Sequence, residues 1–397
     1  EEIFAYVLRD MTDKKGGFYS AEDADSEGEE GKFYVWTKEE IVKILGDKDG
    51  KKFIDIFGFE DQGNFYEEAT RQLTGSNIPY LKNKLSKYAK KNDLDIKKLK
   101  TTIEKNRLAL FNDREKRIHP LKDDKVLTDW NGLMIAAFAN GGKILGNDKY
   151  LSAAENAADF ILNNLRDNNG RLFKRYRLGS SGLQPHIDDY AFLIWGLLNL
   201  YEAGFKVHYL EAAVEIAELM VSDFIDEENG GFFIGPESGE KLIVRAKDSY
   251  DGAIPSGNAV AAMNCIRLSK FTGNMKWDEI AQKTFLAFSD GINRVPSAHS
   301  FMLTSFMFGE ESPKEIVVVS KEKDSEAISM VRKIQSSYNP HSILILKNMD
   351  DTKTLDKVAP WTSMHDTIDD KITFYVCENF ACKMPTTDID TALKYLQ

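Results

Sequence analysis

Cysteine is scarce in this chain, with only Cys265, Cys377 and Cys382 among 397 residues. Three cysteines cannot knit so long a sequence into a disulfide framework, so the expectation is a hydrophobic core in a reducing, cytoplasmic setting. Long apolar runs are lacking too. The longest, Ala191 to Tyr201, is interrupted by Gly196 and Asn199 and is too short to cross a bilayer, so no membrane span is expected. Nor is there a surplus of base: 52 Lys and Arg face 63 Asp and Glu, a net charge of −11 that argues against nucleic acid as a main partner. Lysines gather between Lys82 and Lys116, but Asp93, Asp95, Glu104, Asp113 and Glu115 interleave with them, as on a solvated helical face. No Walker or Rossmann glycine loop and no H-E-x-x-H occurs. The C-x4-C of Cys377 and Cys382 has no second Cys or His pair, so neither a cofactor nor a metal is expected. No signal peptide is recognisable. The chain opens without Met on Glu1-Glu2-Ile3-Phe4-Ala5-Tyr6, which reads as the middle of a helix and suggests a piece of something longer.

What is present is a repeat. Trp130 to Phe138 is apolar nearly all round, as in a helix buried on every side. Lys149 to Leu165 then carries a single stripe of Tyr150, Ala153, Ala154, Ala157, Ile161, Leu162 and Leu165, as in a helix with one solvated face. The pair recurs as Ile187–Ala203, followed by a stripe from Leu210 to Phe224. It recurs again as Ser256–Phe271 followed by Lys276–Ser289. The buried helices begin near positions 129, 187 and 256, and Asp-rich turns lead into glycine-aromatic strands ("DKKGGFY" at Asp13, "DNNGRLF" at Asp167, "DEENGGFF" at Asp226). Units of this length hold two helices and a hairpin, and stacking them buries what each could not bury alone. Helices are also predicted at Glu2–Met11, Lys38–Leu45, Lys52–Phe57, Tyr80–Lys90, Ile96–Arg117 and Ser297–Phe308. The fold class is therefore mainly α, an α/α toroid over residues 1–312 with inner-helix starts facing a cavity. Residues 313–397 read as a small C-terminal α/β appendage with strands at Glu315–Val319, Ser342–Leu346 and Ile372–Val376 and helices at Ser325–Ser336 and Asp388–Leu396.

Ala21 to Gly31 packs six carboxylates and no base into eleven residues. It fails as an EF-hand: Tyr34 stands where the bidentate Glu belongs, and the flanks Gly17–Ser20 and Lys32–Trp36 read as strands rather than helices. A hairpin connection ahead of a helix fits better, because Thr37 and Glu40 form a capping box. Glu27, Glu29 and Glu30 then belong to a solvated tip, while Glu22, Asp23 and Asp25 could reach a cavity.

Other acids stand at inner-helix starts. "HIDDYAF" places Asp188 and Asp189 beside His186 at the second, "LTDW" puts Asp129 and Trp130 at the first, and "SYDGAIPSGN" offers Asp251, Ser256 and Asn258 at the third. One capping Asp at such a place is ordinary. Two beside a His, ahead of an apolar helix, are less easily explained so. With Trp36, Trp130 and Tyr190 to cover apolar sugar faces, the set suits a carbohydrate: carboxylates bind hydroxyls, and a pair can protonate and stabilise a glycosidic centre. A sugar epimerase would instead need two bases flanking a carbon next to a carbonyl, for which His186 and His299 are the histidines at starts of apolar helices. A structural, hydrogen-bonded role is the plainer alternative for each.

Five stretches carry a family resemblance: "GGFYSAEDADSEGEEGKFYVWT" (Gly16 to Thr37), "VLTDWNGLMIAAFA" (Val126 to Ala139), "HIDDYAFLIWGLLNLYEAG" (His186 to Gly204), "DGAIPSGNAVAA" (Asp251 to Ala262) and "CENFACKMPTT" (Cys377 to Thr387). Together they resemble the spermatogenesis-associated protein 20 family of thioredoxin-domain-containing proteins. The resemblance implies a six-hairpin toroid similar to N-acylglucosamine 2-epimerases and six-hairpin glycosidases. It also implies a thioredoxin-like domain ahead of the toroid, whose strands and cysteine motif are not found before Gly16. It does not carry an activity.

The reading is a carbohydrate-active or sugar-binding toroid, hydrolase-like or epimerase-like. Asp188 and Asp189 act as acid/base carboxylates with His186 beside them. Glu22, Asp23, Asp25, Trp36, Asp129, Trp130, Tyr190, Asp251, Ser256, Asn258 and His299 are the candidate substrate contacts. The alternative is a non-catalytic interaction module that partners the thioredoxin-like domain, its rim acids being caps. A third possibility has Cys377 and Cys382 exchanging disulfides with that domain.

Overall fold

The computed structural model describes residues 1–67, 70–321, 325–349 and 352–396. The chain forms two compact units, one of Glu1–Ser20 with Asp124–Gln397 and one of Ala21–Asp123. Helix α1 (Glu2–Asp10) belongs to the first, where Phe4 stacks on Phe138 with ring centroids 4.4 Å apart.

The Ala21–Asp123 unit begins with the acidic stretch. Strand β1 (Ala21–Glu22) is followed by the antiparallel pair β2 (Asp25–Ser26) and β3 (Glu29–Glu30), with Asp25 opposite Glu30. Glu27 and Gly28 both take positive φ, 55° and 78°, as a two-residue type I′ turn requires. The expected strand at Lys32–Trp36 is a turn, from which Trp36 alone bridges to Asn77. Helix α2 (Lys38–Ile56) starts on the predicted capping box, Thr37 with Glu40. The sequence suggested two helices here. Two helical pieces meet there across a kink at Gly46, whose φ of 78° and ψ of 162° are not helical. Helices α3 (Leu85–Lys91) and α4 (Ile96–Arg114) follow, and β4 (Lys122–Asp123) pairs with β1. The core of this unit gathers Trp36, Ile41, Phe53, Phe59 and Leu110.

In the other unit, β5 (Val126–Leu127) leads into α5 (Thr128–Leu145), backed by α6 (Asp148–Asn164). A hairpin of β6 (Arg175–Arg177) and β7 (Ser180–Gly182) joins β5 in a small sheet. Helices α7 (Ile187–Gly204) and α8 (Val207–Phe224) repeat the motif, as do α9 (Gly257–Thr272) and α10 (Lys276–Arg294), and α11 (Ser300–Glu310) packs on α9. Helices α5, α7, α9 and α11 lie side by side, with α6, α8 and α10 each backing the inner helix before it. This is the layering of an α/α toroid, as the periodicity predicted. From Ile187 to Tyr201 all but Asp188 and Trp195 are buried, and each fully buried Leu or Phe there is worth about 1.5–3 kcal/mol. Helices α5 and α7 nearly touch backbone to backbone. A Cβ on Gly132 would sit 2.4 Å from the Phe192 carbonyl carbon, and one on Gly196 would sit 2.7 Å from the Gly132 carbonyl oxygen.

The glycine-aromatic segments form minimal hairpins, Thr12 with Phe18, Arg166 with Leu172 and Ile225 with Phe232. Each is stapled to the inner helix that follows it. Asn131 accepts from Phe18 N–H at 2.8 Å and donates to its carbonyl at 3.0 Å, and Asn258 does the same with Phe232 at 2.7 and 2.9 Å. In the middle repeat the Tyr190 hydroxyl accepts from Leu172 N–H at 3.0 Å.

The C-terminal stretch adds β8 (Lys314–Ser320), α12 (Ser325–Gln335), β9 (Ser342–Asn348), α13 (Lys353–Val358), β10 (Thr373–Glu378), β11 (Ala381–Cys382) and α14 (Ile389–Leu396). The sheet runs β11-β10-β8-β9, with β8 and β9 parallel across the α12 crossover and β10 antiparallel to β8. It is tied to α9 by the buried pair Lys270–Glu315 at 3.1 Å, and by Trp361, whose indole N–H donates to Phe271 O at 2.9 Å.

Candidate functional site

The starts of α5, α7 and α9 are joined through the two adjacent aspartates of α7. Asp189 reaches back: its Oδ1 accepts the Asp129 N–H at 3.1 Å, and its Oδ2 accepts the His186 N–H at 2.7 Å. Asp188 reaches forward, accepting the Gly257 N–H at the first turn of α9. Gly257 has to be glycine for this, since a Cβ there would lie 2.2 Å from Asp188 Oδ1. Helix N-termini favour negative charge, so each carboxylate sits where exposed N–H groups and the helix dipole attract it.

One cation serves the cluster. Lys174, delivered by the hairpin before β6, lies 3.0 Å from Asp129 Oδ2 and 3.4 Å from Asp189 Oδ2. Burial works against its charge, but Asp189 and Asp129 outweigh this and raise its pKa. Asp189, fully buried, is held above the ordinary carboxylate range by burial and by Asp129, with Lys174 opposing. Asp188 is half-buried and shifts upward for the same two reasons, burial first and then Asp129. Burial, then Lys174, lowers His186 below the usual imidazole value and favours its neutral ring. Asp188 can therefore hold a proton at a pH where free aspartate has lost it, next to an exposed imidazole able to accept one.

The other sequence candidates have varied surroundings. Trp130 is 44% exposed at the first turn of α5, a free aromatic face beside Asp129. Tyr190 is fully buried against Phe224 with its hydroxyl on Leu172, and burial pushes that hydroxyl up to about 12. Asp251 accepts from the N–H groups of Ser256 (2.8 Å), Phe301 (2.7 Å) and Met302 (3.3 Å), so it stitches α9 to α11. Ser256 caps α9 by accepting from Ala259 N–H at 3.2 Å. Asn258 donates to Asp248 O at 2.8 Å in addition to its bonds with Phe232. His299 is buried, with Nδ1 2.7 Å from Ser249 O, an acceptor that calls for a hydrogen on Nδ1. Glu22, Asp23, Asp25 and Trp36 belong to the Ala21–Asp123 unit, where Trp36 is buried beneath Arg117, 4.0 Å from its ring centroid. Sequence reasoning missed Lys174, Asn131 and the task of Gly257. Lys174 follows "DNNGRLF" by one residue, so the recurrence of that segment was the signal available.

A cavity of about 380 Å³ lies elsewhere, toward the C-terminal ends of α7 and α9, between Trp195, Asn199, Glu202, Arg267 and Phe301. Arg267 there donates to Asn199 at 2.8 Å and to Glu202 at 2.7 Å. The Ala21–Asp123 unit has its own cavity of about 650 Å³, lined by Glu27, Glu29, Lys32, Trp36, Phe65 and Arg117. Among the described residues no helix is long and apolar enough to cross a membrane. The sequence offered no disulfide framework, and the structure holds one bridge, Cys377–Cys382, with Cys265 free and buried.

No family model matches the chain. Curated relatives do: it is 34% identical over 413 residues to spermatogenesis-associated protein 20 of Homo sapiens, covering 97% of this chain and 52% of that protein. It is 32% identical to the Rattus norvegicus protein of the same name, with the same coverage. The family resemblance read from the sequence thus holds over nearly the whole chain, which spans about half the length of these relatives. Among solved structures, a cellobiose 2-epimerase from Spirochaeta thermophila aligns with a TM-score of 0.35 at 18% identity, over 41% of this chain and 43% of that one. A family 76 α-mannanase from Bacteroides thetaiotaomicron aligns with a TM-score of 0.40 at 16% identity, over 55% and 60%.

Proposed function

We propose that this chain, a homologue of spermatogenesis-associated protein 20 over nearly all its length, is a sugar-binding toroid whose chemistry is carried by the start of α7. The observation that supports this is the half-buried Asp188, raised in pKa, beside a neutral, exposed His186 and an exposed Trp130 at the first turn of the neighbouring inner helix. In this reading the Asp188 carboxyl gives its proton to a sugar oxygen, the role a general acid plays when its pKa is tuned toward neutrality. His186 accepts a proton from the sugar or its attacking water. Asp189, both oxygens on backbone N–H groups, positions the pair, and Trp130 covers an apolar sugar face. Whether the outcome is hydrolysis or epimerisation depends on which carbon sits between Asp188 and His186. His299 is the second base an epimerase would need.

The full-length protein in this reading also carries a thioredoxin-like domain and works in the cytoplasm. Cell fractionation and the complete reading frame test those two points. One observation favours a second reading, a non-catalytic interaction module: Asp189 and Asp251 accept backbone N–H groups at helix starts, as caps do.

A melting-temperature screen against mono- and disaccharides, sugar acids and amino sugars separates the two, run on wild type and Asp188→Asn. A sugar that raises the wild-type melting point and not the variant's is the expected result, since binding the native state stabilises it. No shift with any sugar in a folded sample, or equal shifts in both proteins, removes this assignment of Asp188.

A further inference from the structure

The Cys377–Cys382 bridge takes no part in the proposed sugar site, and disulfide exchange by this pair was among the expectations from the sequence. Its place follows from the hairpin. Asn379 and Phe380, at φ 50° and 63°, make a two-residue turn, and Cys377 faces Cys382 two positions back from it. Lys383 N–H bonds to Val376 O at 3.0 Å, so the cysteine pair falls at a non-hydrogen-bonded position, where facing side chains come closest. The turn is held by contacts that do not involve sulfur. Lys270 donates to Asn379 at 2.9 Å, Phe380 N–H donates to Glu315 at 3.3 Å, and the Phe380 ring meets Trp361 edge-on at 5.2 Å. The two sulfurs therefore stay opposed whether or not they are bonded.

The pair is asymmetric. Cys377 is 1% exposed, whereas Cys382 is on the surface. His365, itself buried, brings Nε2 to 3.5 Å from Cys382 Sγ, and its ring nitrogen lies within 4.8 Å of both sulfurs. Nδ1 of that ring has no hydrogen-bond partner among the described residues. Around His365 stand Tyr375 of β10, with ring centroids 4.3 Å apart, and Trp361 at 5.4 Å. The Lys347 ammonium of β9 donates to His365 O at 2.9 Å and lies 3.8 Å from Asp356 of α13. A purely structural staple needs neither an exposed sulfur nor a buried imidazole beside it.

We propose that Cys377–Cys382 is a thiol–disulfide exchange site that accepts two electrons from a dithiol, entering at Cys382, with His365 as the proton-handling group. The dithiol's first thiol gives its proton to the neutral His365 ring as its sulfur attacks Cys382 Sγ; the Cys377–Cys382 bond breaks, and Cys377 leaves with the electron pair and takes that proton from His365. The second thiol gives its proton to His365 as its sulfur attacks the dithiol's first sulfur in the mixed disulfide, and Cys382 leaves with the electron pair and takes the proton back from His365. The dithiol ends as a disulfide and the chain as a dithiol, with two electrons and two protons transferred. Exchange of this kind is governed by access to the attacked sulfur and stabilisation of the leaving one, both of which differ between the two cysteines.

The experiment equilibrates the native, folded chain in buffers of reduced and oxidised dithiothreitol, quenches with acid, and counts maleimide-labelled thiols by mass. Circular dichroism confirms the fold at each point. The expected result is a two-thiol transition at Cys377 and Cys382 while the protein stays folded. Cys377→Ser should capture a mixed disulfide with a thiol probe at Cys382, and Cys382→Ser should capture none. His365→Gln should slow reduction about tenfold, a modest share of what general acid catalysis supplies, and flatten its pH dependence. Reduction only upon unfolding, or equal capture by both single-cysteine variants, overturns the proposal. So does a wild-type rate and pH profile in His365→Gln.

Discussion

Two aspartate sites in the same unit sit in opposite electrostatic conditions. Asp226, in the third glycine-aromatic hairpin, accepts the Asn229 N–H at 2.9 Å and the Lys247 ammonium at 2.7 Å, and its pKa falls to about 2, with Lys247 the largest cause. Asp188 and Asp189 also accept backbone N–H groups at a helix start, yet both shift upward. The first difference is burial, the largest cause at Asp188 and Asp189 and a lesser one at Asp226. The second is the ratio of cation to carboxylate: Lys247 pairs with Asp226 and also donates to Gly230 O, while Lys174 is shared by Asp129 and Asp189 and acts on Asp188 only through space. Burial then decides, and it decides for the proton. A capped carboxylate with its own lysine is a structural part. One crowded with others around a single lysine is chemically poised.

Removing the shared cation should break the contrast most strongly. Lys174→Met leaves buried carboxylates uncompensated and should cost about 3 kcal/mol at pH 7 by urea unfolding. That loss should shrink as the pH falls and the aspartates protonate. A loss independent of pH would mean that Lys174 contributes packing rather than charge. Gly132→Ala should come next, at about 2 kcal/mol, because the added methyl forces apart the helices that carry Asp129 and Asp189. A stability unchanged from wild type would show that the crossing has slack. Asp226→Asn should cost about 1 kcal/mol, the scale of a lost cap. Its folded-state pKa is depressed, so the stability it adds is present above the unfolded value and lost as pH falls toward about 2. The acid limb of the wild-type curve should therefore flatten in this variant. The smallest effect belongs to Asp188→Asn. With a raised folded-state pKa, the ionised Asp188 opposes folding, and that penalty is relieved as pH falls through the raised value. The variant should unfold at or slightly above the wild-type urea midpoint at pH 7 while losing sugar binding. A clear drop in midpoint would make Asp188 a structural carboxylate like Asp226.

Much of this architecture was legible in the sequence because two periodicities are strong. The mostly apolar runs that begin at Trp130, Ile187 and Ser256 read as buried helices, and the striped partners as outer ones. The break at Gly46 was legible too, since the backbone leaves helical φ and ψ there between the two predicted helices. A boundary failed at Lys32–Trp36, where β-prone residues form a turn because the strand pairing lies at Asp25–Glu30. The acids at the inner-helix starts were visible, but their division of labour was not. Adjacent in sequence, Asp188 and Asp189 point to different neighbouring helices, and the lysine that bridges Asp129 and Asp189 arrives from 15 residues before Asp189. The C-E-N-F-A-C spacing did contain its answer, since four residues between cysteines suit a two-residue turn closed by one paired position.

The division of the chain has a consequence for how it is made. Residues 1–20 belong with Asp124–Gln397, and their partners include Phe138, Tyr150 and Asn131. A ribosome therefore releases residues 1–20 before α5 and α6, against which they pack, have been made, while Ala21–Asp123 can close on itself once β4 emerges to meet β1. Helix α1 must wait, with Phe4 and Phe18 uncovered, through the synthesis of the whole intervening unit. A segment translated before its partners thus finds its place after them, and a chaperone that recognises exposed aromatics would have its opportunity in that interval.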